Sequence, residues 1–438
     1  MTATANDSTR VSLAFKKLVA ASCFGTSIEW YDFFLYGFLG PLVFDKLFFP
    51  SLSPFLGTLV VYGTLTVGFV ARPIGGVLFG ELGDRIGRKP VLFLALCLMG
   101  VCTAAMGLLP GYAVIGAAAP VLLIVLRFVQ GLALGGQFAG AMVLTVESAP
   151  GGKRGFYGAI IQTSGYIGVI LATGAIALLS LLSKPDLLAW GWRLPFLASI
   201  VLVGVALFIR RNADESAAFE QEVVAAKVER QRTPVMEVIV RYPGRTVIVM
   251  LLSAAETGFY YLVSVFALAY GARTLGHPQA YLANAVVIGA SISLFTTPLF
   301  GAISDRIGRR PMFLAGTLAA ALYIYVFFAM MKGSNLSAGL AIGIGVAFIH
   351  PLMYAPEGSF LAELFETRVR MTGMSLGKQI GATLGAGLAP LIAAWIIGAN
   401  HGQTIGVVIY YVIMAALAFV ASLLAKETSR ASLHERLA

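Results

Sequence analysis

The chain has 438 residues, 58% of them hydrophobic and only 12% charged, with a net charge of +10 and three cysteines. A domain of that composition would expose far more apolar surface than water tolerates, which excludes a soluble globular protein and points to lipid as the solvent. The positive balance is not a nucleic-acid signature, because the basic residues fall between apolar runs rather than in one patch, and no nucleic-acid partner is expected.

A helix needs about 20 apolar residues to cross the hydrocarbon core. Twelve such runs are predicted, at 18–44, 55–79, 91–109, 121–146, 157–182, 192–209, 247–272, 281–303, 312–331, 336–354, 373–397 and 405–425. They are long and uniformly apolar rather than alternating in pairs, so they are helices and not barrel strands, and the predicted fold class is an all-α membrane protein. Residues 1–10 are polar and precede no short apolar stretch with a cleavage site, so the first span is expected to remain. Of the 31 Lys and Arg, 23 fall in the N-terminus, the even-numbered loops and the C-terminus, and five, counting Arg193 at the edge of the sixth run, in the odd-numbered loops. That asymmetry predicts a multi-pass membrane protein with both termini cytoplasmic. Cys23, Cys97 and Cys102 all sit in spans and read as small buried hydrophobes.

In the first span, Glu29, Asp32 and Tyr36 recur at i, i+3 and i+7 and share one helix face. Arg72, followed by Pro73 in the second span, reads as a structural residue whose long side chain snorkels to the interface. Arg127, Gln130 and Gln137 form a polar stripe on the fourth span that should face a central cavity, with Gln162 of the fifth counted beside them. An arginine there suits a carboxylate, which it can hold with two parallel hydrogen bonds. The competing reading has Arg127 neutralising Asp32 or Glu29 within the bundle. Residues 210–245, the longest polar stretch, mix acids and bases and read as a cytoplasmic linker between residues 1–209 and 246–438. Ser253, Glu256 and Tyr260 line up on the seventh span, and His350 precedes Pro351 on the tenth. An ionisable residue within a span is a functional candidate by default, so Glu29, Asp32, Glu256 and His350 are the candidate proton carriers. Glu357 and Lys378 read as a structural ion pair, and the run Gly373, Gly377, Gly381 and Gly385 as a flat face for close helix contact.

Gly80 to Pro90 reads GELGDRIGRKP and Gly301 to Pro311 reads GAISDRIGRRP, a recurrence that signals duplication into two six-helix halves. A weaker echo places Glu147 before Arg154 and Glu363 before Arg370 at equal spacing. Gly87 and Gly308 would permit a tight turn, Asp84 and Asp305 would cap or pair at a helix end, and the arginines would pair with carboxylates of the opposing half. Asp84, Arg85, Arg88, Asp305, Arg306 and Arg309 are therefore candidate gating residues.

The two DRIGR loops resemble the signature loop of the major facilitator superfamily. FGTSIEWYDFFLYGFLGPLVFDKLFFP from Phe24, GFVARPIGG from Gly68, RFVQGLALGGQFAG from Arg127, GWRLPF from Gly191 and LAELFETRVRMTGMSLG from Leu361 resemble its metabolite:proton symporters, permeases for shikimate, 2-oxoglutarate, citrate and proline or betaine. That pattern usually has Glu where Gln137 stands, an aromatic at Lys378 and Pro at Glu366, and Glu357 is an uncommon acid in it. The resemblance implies alternating access between two bundles, with a small organic anion and protons as ligands, no cofactor and no metal, and function as a monomer in the bilayer of a bacterial cytoplasmic (inner) membrane. An ATP-driven pump would need a phosphate-binding loop and a membrane enzyme paired metal ligands or a nucleophile elbow, and neither motif occurs. The expected function is proton-coupled symport of a small organic acid, shikimate-like, aromatic or dicarboxylic, with Arg127, Gln130, Gln137, Tyr36, Gln162 and Tyr260 binding substrate. The alternatives are a zwitterion (proline or betaine) symporter and an organic-anion exchanger.

Overall fold

A computed structural model describes residues 3–86, 88–135, 138–179, 181–212, 234–366, 369–400 and 402–429. Among the described residues there is no strand, and helices cover every predicted run. In the first half they are Ala3–Leu39, Pro54–Ile86, Arg88–Leu108, Ala118–Leu134 with Phe138–Ser148, Arg154–Leu179 and Arg193–Asn212. In the second half they are Pro243–Arg273, Gln279–Ile307, Arg309–Met331, Asn335–Glu363, Arg370–Ala399 and Ile405–Leu424. Eight of the described helices are long and apolar enough to cross a membrane on their own. The first begins well ahead of its predicted start at residue 18. Within the predicted linker a helix forms at Pro234–Arg241, while residues 213–233, like Gly87 and Gln137, lie outside the described residues.

Ile409, Ile413, Leu417, Val420 and Leu424 on the twelfth helix, and Leu322, Tyr325 and Val326 on the ninth, are exposed. An apolar surface of that extent belongs against lipid. The third helix packs on the sixth and the ninth on the twelfth, at equivalent places in the duplication. The halves meet where the second helix packs against the eleventh and the fifth against the eighth and tenth. The duplication relates the second helix to the eighth and the fifth to the eleventh, so the 2–11 and 5–8 interfaces are exchange-related.

Two local features place the site. The glycine stripe of the eleventh helix lies against the seventh: a Cβ at Gly377 would sit 2.6 Å from Val249 Cγ1, and one at Gly381 would sit 2.7 Å from Ser253 Cβ. Only residues without a side chain let the two backbones approach this closely, and that approach brings Lys378 to Glu256. Wide π-type turns at Leu262–Phe266, Gly345–Ile349 and Thr383–Gly387 interrupt the seventh, tenth and eleventh helices beside the same region. Such bulges re-aim the side chains that follow them, and His350 follows Gly345–Ile349 directly. At the other motif, Gly308 adopts φ 111° between the eighth and ninth helices, a conformation that disfavours any residue with a Cβ.

Candidate substrate and proton site

A narrow cleft, open in part to solvent, lies between the halves. Glu29, Trp30, Phe69 and Arg72 line it from the first half, and Thr257, Lys378, Gln379 and Ala382 from the second.

Behind the second wall lies a buried ionisable cluster. Lys378 Nζ donates to Glu256 Oε2 at 3.1 Å and to Glu357 Oε1 and Oε2 at 2.7 and 2.6 Å. His350 Nε2 is 2.6 Å from Glu256 Oε1, its Nδ1 is 2.6 Å from the Tyr166 hydroxyl, and the Ser253 hydroxyl donates to Glu357 Oε1 at 2.9 Å. One arrangement satisfies the ring: a neutral imidazole donating from Nε2 to Glu256 and accepting at Nδ1 from Tyr166. Gln162, like Tyr166 on the fifth helix, donates to the Tyr354 carbonyl at 3.2 Å and to Glu357 Oε2 at 3.4 Å. The cluster therefore bridges the two halves. Tyr260 stacks near His350 with ring centroids 4.5 Å apart.

With the imidazole neutral and both carboxylates ionised, two negative charges face one ammonium in a site almost wholly removed from water. An uncompensated charge at that depth is costly, and a single proton restores neutrality. The Glu357–Lys378 pair expected from the sequence is present, at 2.6 Å. Glu256 joins it, and Lys378 lines the cleft wall.

A second cluster is closed inside the first half. Asp32 accepts hydrogen bonds from Thr103 at 3.0 Å and from Ser199 at 2.6 Å. Gln130 Nε2 donates to Thr103 Oγ1 at 2.7 Å, and Arg127 donates to Gln130 Oε1. The Arg127 guanidinium lies 3.5 Å over the Tyr36 ring, and the Tyr36 hydroxyl is 2.5 Å from Thr64 Oγ1. Arg127, Gln130, Asp32 and Tyr36 thus come together as a set, but none of them lines the cleft. Of the first-helix face, Glu29 alone reaches it. Arg72 does not snorkel to an interface, as the sequence suggested: it is buried, with its guanidinium 3.8 Å over Phe33, 4.2 Å over Phe69 and 6.0 Å from Trp30, and it lines the cleft. Phe69, one turn before Arg72, was the available signal, since i and i+3 share a face.

The ends of the cleft are bridged by polar contacts. Asp305 accepts the backbone N–H groups of Gly155 and Phe156, at 2.8 and 2.9 Å, and so caps the start of the fifth helix from the opposite half. Arg309 pairs with Asp305 at 2.7 Å and with Glu363 at 3.4 Å, both in its own half, which corrects the expectation of an opposing-half partner for this arginine. The cross-half bridges are instead Glu147 with Arg370 and Arg154 with Glu363, the latter at 4.0 Å. These are the four residues of the weaker sequence echo, paired reciprocally. Arg306 is exposed, and the side chains of Asp84, Arg85 and Arg88 lie outside the described residues. At the other end Arg273 Nη2 meets Asp45 Oδ2 across the halves at 2.8 Å, a bridge that nothing in the sequence singled out.

Comparison with known proteins agrees with this architecture. The sequence model of the Major Facilitator Superfamily matches residues 23–355 and 272–436. The shikimate transporter of Escherichia coli strain K12 is 38% identical over 97% of this chain and 98% of its own. The proline/betaine transporter of the same strain is 30% identical over 94% of this chain and 84% of its own. An inner membrane metabolite transport protein of that strain is 38% identical over 95% of each. Among solved structures, the proton:xylose symporter XylE bound to 6-bromo-6-deoxy-D-glucose superposes with a TM-score of 0.71 at 17% identity, covering 97% of this chain and 98% of that one, a likeness of fold. The chain is a multi-pass membrane transporter and not an enzyme, and it belongs to the Major Facilitator Superfamily.

Proposed function

We propose that the protein takes up a small organic acid together with protons, by rocking residues 1–209 against 246–438 about the central cleft, with 210–245 as a cytoplasmic linker. The observation that carries this reading is the Glu256–His350–Glu357–Lys378 cluster, adjoining the cleft and touching both halves, which with a neutral imidazole and ionised carboxylates is one proton short of neutrality. A proton on either carboxylate releases Lys378 from one of its two acidic partners. The ammonium is then more available to an anion in the cleft, so proton and anion favour each other's binding by equal amounts, as linkage requires. His350 serves as a neutral relay between Glu256 and Tyr166. Asp32, fully hydrogen-bonded inside the first half, has no comparable route to the second half. The Asp305 cap and the two Glu–Arg bridges close one end during the cycle, and the Asp45–Arg273 pair closes the other.

The named relatives transport shikimate, metabolites, and proline or betaine, which supports a small carboxylate as substrate, and one of them is named as an inner membrane protein. Retention of a betaine would call for aromatic faces around its quaternary amine. At the cleft Phe69 already stacks on Arg72, with Trp30 beside it, which favours an acid over that zwitterion. The test is uptake by proteoliposomes under an imposed inward proton gradient. Glu256→Gln and Glu357→Gln should each abolish gradient-driven accumulation and spare substrate exchange. Accumulation persisting in both variants refutes the scheme.

A further inference from the structure

We propose that Arg72 is the carboxylate-binding residue of the cleft, and that Gln379, on the facing wall, binds a hydroxyl of the same ligand. The substrate class is then a hydroxylated monocarboxylate. This rests on the transport reading above and gives its site a ligand chemistry.

An inventory of donors and acceptors carries the assignment. Among the described residues three cationic side chains stand near the centre. Lys378 directs its N–H groups at three carboxylate oxygens; Arg127 gives one nitrogen to Gln130 and leaves Nε and Nη2 without partners, but it is enclosed within the first half and does not line the cleft. Arg72 does line it. Among the described residues nothing hydrogen-bonds its guanidinium, its Nε is buried without a partner, and its contacts are the faces of Phe33, Phe69 and Trp30. Stacking holds the planar fork in place while leaving the edge donors free, and those donors match a carboxylate in a bidentate pair. Glu29 on the same wall supplies part of the countercharge, and the edge donors of the guanidinium call for a hydrogen-bonding anion besides.

Gln379 is 4% exposed, lines the same cleft from the eleventh helix, and its Oε1 accepts no hydrogen bond. An unpaired buried amide rejects an apolar group and is satisfied by a ligand hydroxyl, to which it can both donate and accept. Glu29, also on the wall, places a further carboxylate beside Arg72 and opposes a second negative charge on the ligand, which argues against a dicarboxylate.

Equilibrium binding to the purified full-length protein in detergent tests this without any proton gradient, so a failure of coupling and a failure of this assignment read out separately. The probes are shikimate, its methyl ester, cyclohexanecarboxylate, succinate and glycine betaine. Wild-type protein should bind shikimate in preference to the ester, the dicarboxylate and the betaine. Arg72→Gln should weaken shikimate about 10- to 100-fold, the range for loss of a charge-assisted bidentate contact, and Arg72→Lys should recover only part of it. Gln379→Leu should weaken shikimate and leave cyclohexanecarboxylate unchanged. Unaltered shikimate affinity in Arg72→Gln overturns the carboxylate assignment, and so does equal binding of acid and ester by wild type, which needs no variant to fold. Preference for succinate or glycine betaine, or binding of none of the five, overturns the substrate class.

Discussion

Replacing Lys378 by methionine removes the lysine ammonium from a cluster that holds two buried carboxylates. Lys378 lies 2.6 Å from Glu357 and 3.1 Å from Glu256, and all three side chains are nearly inaccessible to water. Breaking a buried pair by deleting one member costs about 3–5 kcal/mol, because the partner is left charged and unpaired in a poorly polarisable site. Removing the partner as well cancels that penalty. Lys378→Met should therefore lower the thermal midpoint of the detergent-solubilised protein by several degrees, and Lys378→Met with Glu357→Gln should recover about 2 kcal/mol or more of the loss. The assay is thermal unfolding of wild type, both single variants and the double variant under one buffer, read as a double-mutant cycle. A double variant no more stable than Lys378→Met alone would show that the ammonium and the carboxylate are not coupled, and the charge argument for the cluster would fail with it.

Gly381→Ala places a methyl group against the Met250 carbonyl oxygen and 2.7 Å from Ser253 Cβ, and should cost about 1–3 kcal/mol in the same melting assay, whereas Gly343→Ala, which meets nothing within 4 Å, should not. Burial pushes the Glu427 carboxyl up, but backbone N–H groups of Ser429, Arg309 and Arg310 outweigh it and hold the group below the usual carboxylate range. A depressed value means stability that is present above the unfolded-state value and lost as pH falls through the folded one, so the melting difference between wild type and Glu427→Gln should be constant near neutrality and shrink on acidification; a difference that grows on acidification contradicts this sign. Arg306→Cys, on an exposed position of the motif loop, should react with an impermeant thiol reagent in inside-out vesicles only, and labelling in intact cells would invert the proposed topology.

The number of spans and the duplication were legible because they depend on quantities carried along one dimension: the length of an apolar run against the thickness of a bilayer, and a motif recurring at fixed offset. The glycine stripe was legible for a similar reason, since absent side chains at every fourth residue describe a flat face whatever packs on it. The ionisable groups within the spans could also be picked out, because they are few in apolar helices. The weaker echo of Glu147 and Arg154 in Glu363 and Arg370 was visible, but its reciprocal pairing was not. Partners depend on how two halves dock, and docking leaves no periodic trace. The same limit explains the arginines. Arg72 and Arg127 each interrupt an apolar helix, and although Phe69 one turn from Arg72 hints at a stacking partner, sequence does not say which arginine meets the cleft. Which one meets the cleft is decided by the rotation of the second and fourth helices about their own axes, and that rotation is set by Gly131 and Gly135 packing against the backbone around Gly68 and Arg72. Glu256, His350 and Lys378 come from three helices far apart in sequence, and only side-chain packing between those helices, with a tyrosine from the other half, makes them one hydrogen-bonded unit.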